Sequence, residues 1–177
     1  RLARAAELVH AHVQRVPDLV AQALRVATTG RPGPVFLEIP ADVLFKRVDE
    51  KDVFFPQRIC PAALPAPAAQ AVEQAIDWLQ SAQRPAILAG GGSWFSGAAP
   101  ELLAFAEHTG IPVFANSKAR GMVPDDHPLS GRSFVTLGVL TQMGMAPDVV
   151  LLLGARIGLF TGGRSGMMIP NAARVIQ

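Results

Sequence analysis

Three consecutive glycines, Gly90-Gly91-Gly92, are the residues of this chain best placed to do chemistry. They follow a short apolar run, Pro85–Ala89, and precede a helical pattern, so they stand where a strand hands over to a helix. At that edge of a doubly wound sheet, bare backbone amides and helix N-termini attract phosphate. A second candidate, Gly154-Ala155-Arg156, follows the run Val149–Leu153 and faces the same edge. An arginine there offers a planar fork to a phosphate or carboxylate, although an ordinary strand-end arginine looks the same. The glycine spacing does not match the dinucleotide fingerprint. Gly92 and Gly97 have the outer spacing of a P-loop, but Ala98-Ala99 stands where Lys-Ser/Thr is required. That excludes ATPase chemistry of the P-loop kind. A tight structural turn and a nucleotide-like site are both open readings of the cluster.

The remaining reactive residue types converge less. His10 and His12 would share one face of a strand, as a metal pair does, but no third ligand has matching spacing. His127, between Asp126 and Pro128, is turn chemistry. Glu38 lies inside an apolar run, where a buried carboxylate is either a base or simply paired. There is no G-x-S-x-G elbow, and Cys60 sits among prolines. No residue is assigned a catalytic or metal-ligating role.

The elements that must position these residues follow from periodicity. Pro17 and Asp18 open a helix carrying Val20, Ala23, Leu24 and Ala27 on one face, and Gly30 stops it. Pro34–Pro40 reads as a buried strand of a parallel sheet. Residues 41–66 carry a mixed charge run and then Pro56, Pro61 and Pro65, which favours an extended path and marks an inter-domain linker. From there helices (Val72–Leu79, Ala99–Ala106, Val135–Met143) alternate with apolar strands (Pro85–Ala89, Pro112–Ala115, Val149–Leu153, and one beginning at Arg174). Such alternation predicts an α/β fold with a doubly wound, Rossmann-like parallel sheet, preceded by a helix–strand tail of another α/β domain. The predicted division is 1–40 for the tail, 41–66 for the linker and 67–177 for the central domain.

Composition narrows the function classes. Half of the 177 residues are hydrophobic, which excludes a disordered chain. Net charge is only +2, without a focused basic field, so nucleic acid is not expected as a partner. No run approaches the ~18 apolar residues of a membrane helix. One cysteine excludes a disulfide framework and fits a reducing cytoplasm. With Arg1 first and Gln177 last in an apolar run, the chain is expected to be a piece of something longer.

Several motifs in order resemble thiamine-diphosphate (ThDP) enzymes. Gly33-Pro34-Val35-Phe36-Leu37-Glu38-Ile39-Pro40-Ala41-Asp42-Val43-Leu44 is similar to the signature that ends their pyrimidine-binding domain. Arg84-Pro85-Ala86-Ile87-Leu88-Ala89-Gly90-Gly91-Gly92, Gly110-Ile111-Pro112-Val113 and Ala146–Arg156 resemble successive motifs of their central domain. Within the family, Leu153–Gly166 and Ile169–Gln177 look most like benzaldehyde lyase, with acetolactate synthases more distant.

The resemblance implies a carboligase or lyase acting on 2-hydroxy ketones, aldehydes or 2-oxoacids, as a homodimer or homotetramer. It implies that ThDP and Mg²⁺ are held by segments lying outside residues 1–177, so that these residues act as scaffold and subunit interface and are inactive alone. It also implies a cofactor role for Gly90, Gly91, Gly92, Gly154 and Arg156, since central domains of this family bind FAD or ADP in some members. Arg156 is followed by Ile157-Gly158-Leu159-Phe160, which departs from the FAD-binding pattern and argues against flavin. An ADP-like nucleotide stays open, and with it the alternative of a free-standing module for ADP, NAD or CoA.

Overall fold

Five parallel strands form the sheet that carries both glycine motifs, in the order β5-β4-β3-β6-β7. The computed structural model describes residues 6–8, 12–59, 66–163 and 165–177. The strands are β3 (Pro85–Ala89), β4 (Val113–Ala115), β5 (Ser130–Ser133), β6 (Val149–Leu153) and β7 (Arg174–Ile176). Of the helices in this unit, α3 (Ala69–Ser81) leads into β3, while α4 (Gly91–Phe95) and α5 (Ala99–Thr109) join β3 to β4. α6 (Phe134–Gln142) joins β5 to β6.

Side chains alternate across a strand, so an all-apolar strand needs a layer on each face. Ile87 and Ala89 of β3 pack with Leu102 and Ala106 of α5, with Leu79 of α3 against them. Their neighbours Ala86 and Leu88 pack on the opposite face with Leu137 of α6, Val150, Leu152 and Ile169. This is a doubly wound α/β domain, as expected.

The chain divides into two compact units, Arg1–Ala66 and Pro67–Gln177. In the first, β1 (Ala6–Leu8) pairs in parallel with β2 (Phe36–Glu38). Helix α1 (Val16–Thr28) has proline in its first turn, and Gly30 follows at φ +63°. One expectation, the buried strand, needs correction here, and the apolar face of α1 is not its covered one. The buried side chains of α1 are Leu19 and Ala21, whereas Val20 and Leu24 are 38% and 42% exposed. Likewise Phe36 is 55% exposed, so β2 is not a buried strand. A small cluster explains both: Leu19 and Val43, with Val13, Val16, Leu37 and Ile39 packed against them, leave one face of the ribbon and of the helix uncovered. The start of 41–66 is not extended either. Ala41–Leu44 forms a helical turn, α2, whose Val43 belongs to that cluster.

Candidate functional site

β4 and β6 lie on opposite sides of β3, so the sheet order reverses at the β3/β6 boundary. In open α/β sheets, ligands bind outside the carboxyl ends of the strands at such a point. Gly90–Gly92 and Gly154–Arg156 occupy those two strand ends, and the fold brings them into contact.

The contact is backbone on backbone. Gly90 N–H donates to Leu153 O at 2.8 Å, and Gly92 N–H to Gly154 O at 2.9 Å. A Cβ on Gly90 would lie 2.3 Å from Gly154 O, and one on Gly92 2.8 Å from Gly154 Cα. A Cβ on Gly154, whose φ is +58°, would lie 2.2 Å from Ser93 N. Three of the five predicted residues are therefore glycine because two chain segments pass with no room for a side chain. Buried Ser93 adds to the clasp: its Oγ lies 2.8 Å from Gly90 O and 3.0 Å from Leu153 O, sharing one proton between them. The amides of Gly90 and Gly92 are thus spent inside the protein rather than turned to a ligand.

Gly91 serves a different neighbour. Its missing side chain leaves space for the stem of Lys118, whose Cβ and Cδ come within 3.2 Å of where a Cβ would be. Lys118 is set by an Asx turn after β4: its N–H donates to Asn116 Oδ1 at 3.1 Å, and Asn116 N–H donates to Ala89 O at 3.0 Å. Ala155, just before Arg156, touches Gly90 from the β6 side. Two exposed cations, Lys118 and Arg156, thereby flank the β3–α4 turn, and neither has an ion-pair partner among the described residues. Beside them, Trp94 and Phe95 are 55% and 58% exposed and pack edge to face at 5.1 Å.

The loop after Arg156 is held by Thr161, which is buried. Its Oγ1 accepts the Gly158 N–H at 2.8 Å and lies 2.9 Å from Gly158 O. A shallow pocket of about 160 Å³ lies under this loop, lined by Ile157, Gly163, Ile169, Pro170, Asn171, Ala173 and Val175.

Sequence reasoning did not find Lys118, because nothing in Asn116-Ser117-Lys118 signals that its stem crosses a turn 27 positions earlier. It also missed the role of His127. The Nδ1 of His127 accepts the Leu129 N–H at 3.2 Å, while Nε2 lies 3.4 Å from Glu107 Oε1, fastening the β4–β5 loop to α5. Glu38 is exposed, which removes the buried-base reading. His12 stands at the N-cap of the short 3₁₀ turn Val13–Arg15, whereas His10 and Cys60 lie outside the described residues.

A Mg²⁺–diphosphate needs a set of hard oxygen ligands. Among the described residues no group of three or more His, Cys, Asp or Glu is arranged to hold a metal ion. None of the described residues is assigned to that group. No described helix is long and apolar enough to cross a membrane.

Fold and site define a doubly wound α/β domain whose switch point is closed by a glycine clasp and flanked by two cations, Lys118 and Arg156, with no ion-pair partner among the described residues. Comparison with known proteins specifies its kind. The family model "Thiamine pyrophosphate enzyme, central domain" matches residues 72–177. Oxalyl-CoA decarboxylase of Escherichia coli K12 is 37% identical over 152 residues, covering 83% of this chain and 26% of the relative. The acetolactate synthase large subunit of Corynebacterium glutamicum is 35% identical over 162 residues, 89% of this chain and 25% of the relative. Glyoxylate carboligase of Escherichia coli O157:H7 is 36% identical over 146 residues, 80% of this chain and 24% of the relative. The chain belongs to the thiamine pyrophosphate enzyme family, and residues 72–177 match its central domain. It spans about a quarter of the length of these relatives.

Proposed function

We propose that the chain is the scaffold part of a ThDP- and Mg²⁺-dependent carboligase or lyase acting on small 2-hydroxy ketones, aldehydes or 2-oxoacids. In this reading 1–40 is the tail of the pyrimidine-binding domain, 41–66 the linker and 67–177 the central domain. The catalytic centre lies in further domains of the whole enzyme, a cytoplasmic homodimer or homotetramer. The central-domain match carries the proposal, and the names of the relatives (decarboxylase, synthase, carboligase) support the reaction class. When bound, ThDP supplies a carbanion that attacks carbonyl carbon; the protein's part is orientation and a dry pocket. For this chain that part is to hold the β6–β7 loop, Gly154–Gly166, as one wall of the substrate pocket. The test begins with the flanking coding sequence, which should carry a downstream G-D-G…N motif. The encoded enzyme should then make or cleave carbon–carbon bonds only with ThDP and Mg²⁺. Activity without ThDP, or none on any of these three carbonyl classes, refutes the proposal.

One observation favours a second reading, in which the edge of the central sheet takes an ADP-like nucleotide. Lys118 and Arg156 flank the Gly90-Gly91-Gly92 turn and have no acidic partner among the described residues. With Gly90 and Gly92 amides already spent, the two side chains would have to supply the charge–charge contacts to phosphate. The sequence after Arg156 supports excluding flavin from this reading. Titration with ADP, NAD and CoA tests it: binding should weaken at least tenfold in both K118A and R156A, and wild-type affinity in both variants refutes it.

A further inference from the structure

In the loop between β4 and β5, a histidine does the work of a turn-forming amide. The Nδ1 of His127 accepts the Leu129 N–H at 3.2 Å, across Pro128, which has no N–H of its own. Asn116 closes the same kind of turn with its side-chain oxygen, accepting the Lys118 N–H at 3.1 Å. The two acceptors differ in one respect. An amide oxygen accepts at any ordinary pH, whereas a ring nitrogen accepts only while it carries no proton. Around this ring the turn is held by His127 N–H to Pro124 O at 3.1 Å and Ser130 N–H to His127 O at 2.9 Å. Leu129 is not free to turn away. Its O accepts the Val113 N–H at 2.9 Å, where β5 begins to pair with β4, and its side chain packs on the cluster containing Leu102 and Ala106.

We propose that His127 is a pH-sensitive latch on the edge strand β5: the neutral ring closes the turn at 124–130, and protonation opens it. Protonation places a hydrogen on Nδ1, so that two N–H groups face each other and the part-buried Leu129 amide loses its acceptor. One charge opposes this. Glu107 of α5 has Oε1 3.4 Å from Nε2, and a positive ring would be drawn to it. That gain is small, because the Glu107 side chain is 57% exposed and water screens the pair. The other ionisable side chains of α5, Glu101 and His108, make no hydrogen bond or ion pair with the ring, and β4 has none. Within the loop, Asp125 is paired with Arg120 at 3.1 Å, and Asp126 is exposed. Loss of the acceptor therefore prevails, and the start of the β4–β5 ladder, which hangs on Leu129, loosens as pH falls.

Amide hydrogen exchange of the intact chain, followed by NMR, tests the latch, with each rate divided by that of the same amide in an unstructured peptide at the same pH. From about pH 7.5 to about pH 5.5, across the range where histidines change charge, protection of the Leu129 N–H should fall about tenfold. Protection of the Ile87 N–H, bonded to Pro112 O inside the sheet, should stay constant. H127N keeps an acceptor that does not titrate, so its Leu129 amide should be equally protected at both pH values. H127A should be as poorly protected at the higher pH as the wild type is at the lower. E107Q should keep the fall, since it removes only the attraction that opposes opening. Constant protection of Leu129 in the wild type, an equal fall in H127N, or loss of the fall in E107Q overturns the proposal.

Discussion

Replacing Gly154 by alanine should be among the most damaging single changes in the central domain, and the structure says how much. Gly154 has φ +58°, and a left-handed backbone costs an ordinary residue about 1–2 kcal/mol. The added Cβ would also lie 2.2 Å from Ser93 N and 2.6 Å from Gly92 C. Those are backbone atoms, which cannot rotate away as a side-chain end would. Relief requires the two strand ends to separate, stretching the Gly92–Gly154 and Gly90–Leu153 hydrogen bonds. Leaving two such groups poorly paired costs about 1–3 kcal/mol each. The sum is on the order of 4 kcal/mol or more, a large share of the 5–15 kcal/mol that holds a typical domain. At roughly 2–4 °C per kcal/mol, the melting temperature should fall by about 10 °C. Gly97 is the control: its φ is +71°, but nothing lies within 4 Å of its Cβ position. G97A should therefore lose only the backbone term, about 1–2 kcal/mol. Urea denaturation of both variants by circular dichroism makes the comparison. Equal losses would show that the clasp is not closed as described.

Two further predictions concern the opposite end of the sheet and its packing. Asp148 accepts the amides of Gln83 and Arg84 at 2.8 and 2.9 Å. Desolvation pushes its carboxyl upward, but these amides, together with those of Asp148 itself and Val149, outweigh it and hold the pKa below the ordinary value. A depressed folded pKa means stability that is present above the unfolded value, near 4, and lost as pH falls through the folded one. D148N should cost about 1–2 kcal/mol at pH 7 and remove the part of the acid-induced loss below about pH 4 that is due to Asp148. A wild-type slope unchanged in the variant would refute this. Arg174 lies over the Trp78 ring at 5.5 Å, so a W78A/R174A double-mutant cycle should return a coupling of about 0.5–1 kcal/mol. Strict additivity would mean that the stacking carries no energy.

What was readable in the sequence depended on how strongly each segment speaks for itself. Val149–Leu153 and Ala86–Ala89 are wholly apolar and bounded by turn residues, a pattern that only a doubly covered strand satisfies. Ser130-Gly131-Arg132-Ser133 has no such pattern. It becomes β5 because β4 offers it an edge, and because Gly131 has no Cβ to strike the Phe114 ring, 2.4 Å from where one would be. Arg132 even adopts φ +59°, which no propensity argument favours. The apolar faces of α1 and α3 were legible as apolar, but periodicity reports a stripe and not what lies against it: Val20, Leu24, Val72 and Ile76 are exposed. At the site, strand-end position was legible for both glycine motifs. That they touch was not, because Gly92 and Gly154 are 62 positions apart and close approach leaves no mark beyond the glycine itself.

The central claim is that these residues provide the scaffold of a ThDP enzyme and leave cofactor binding to other domains. Calorimetric titration of the 177-residue chain with ThDP and Mg²⁺ tests it most directly. No heat of binding beyond dilution is expected, whereas saturable binding in the micromolar range would contradict the scaffold reading.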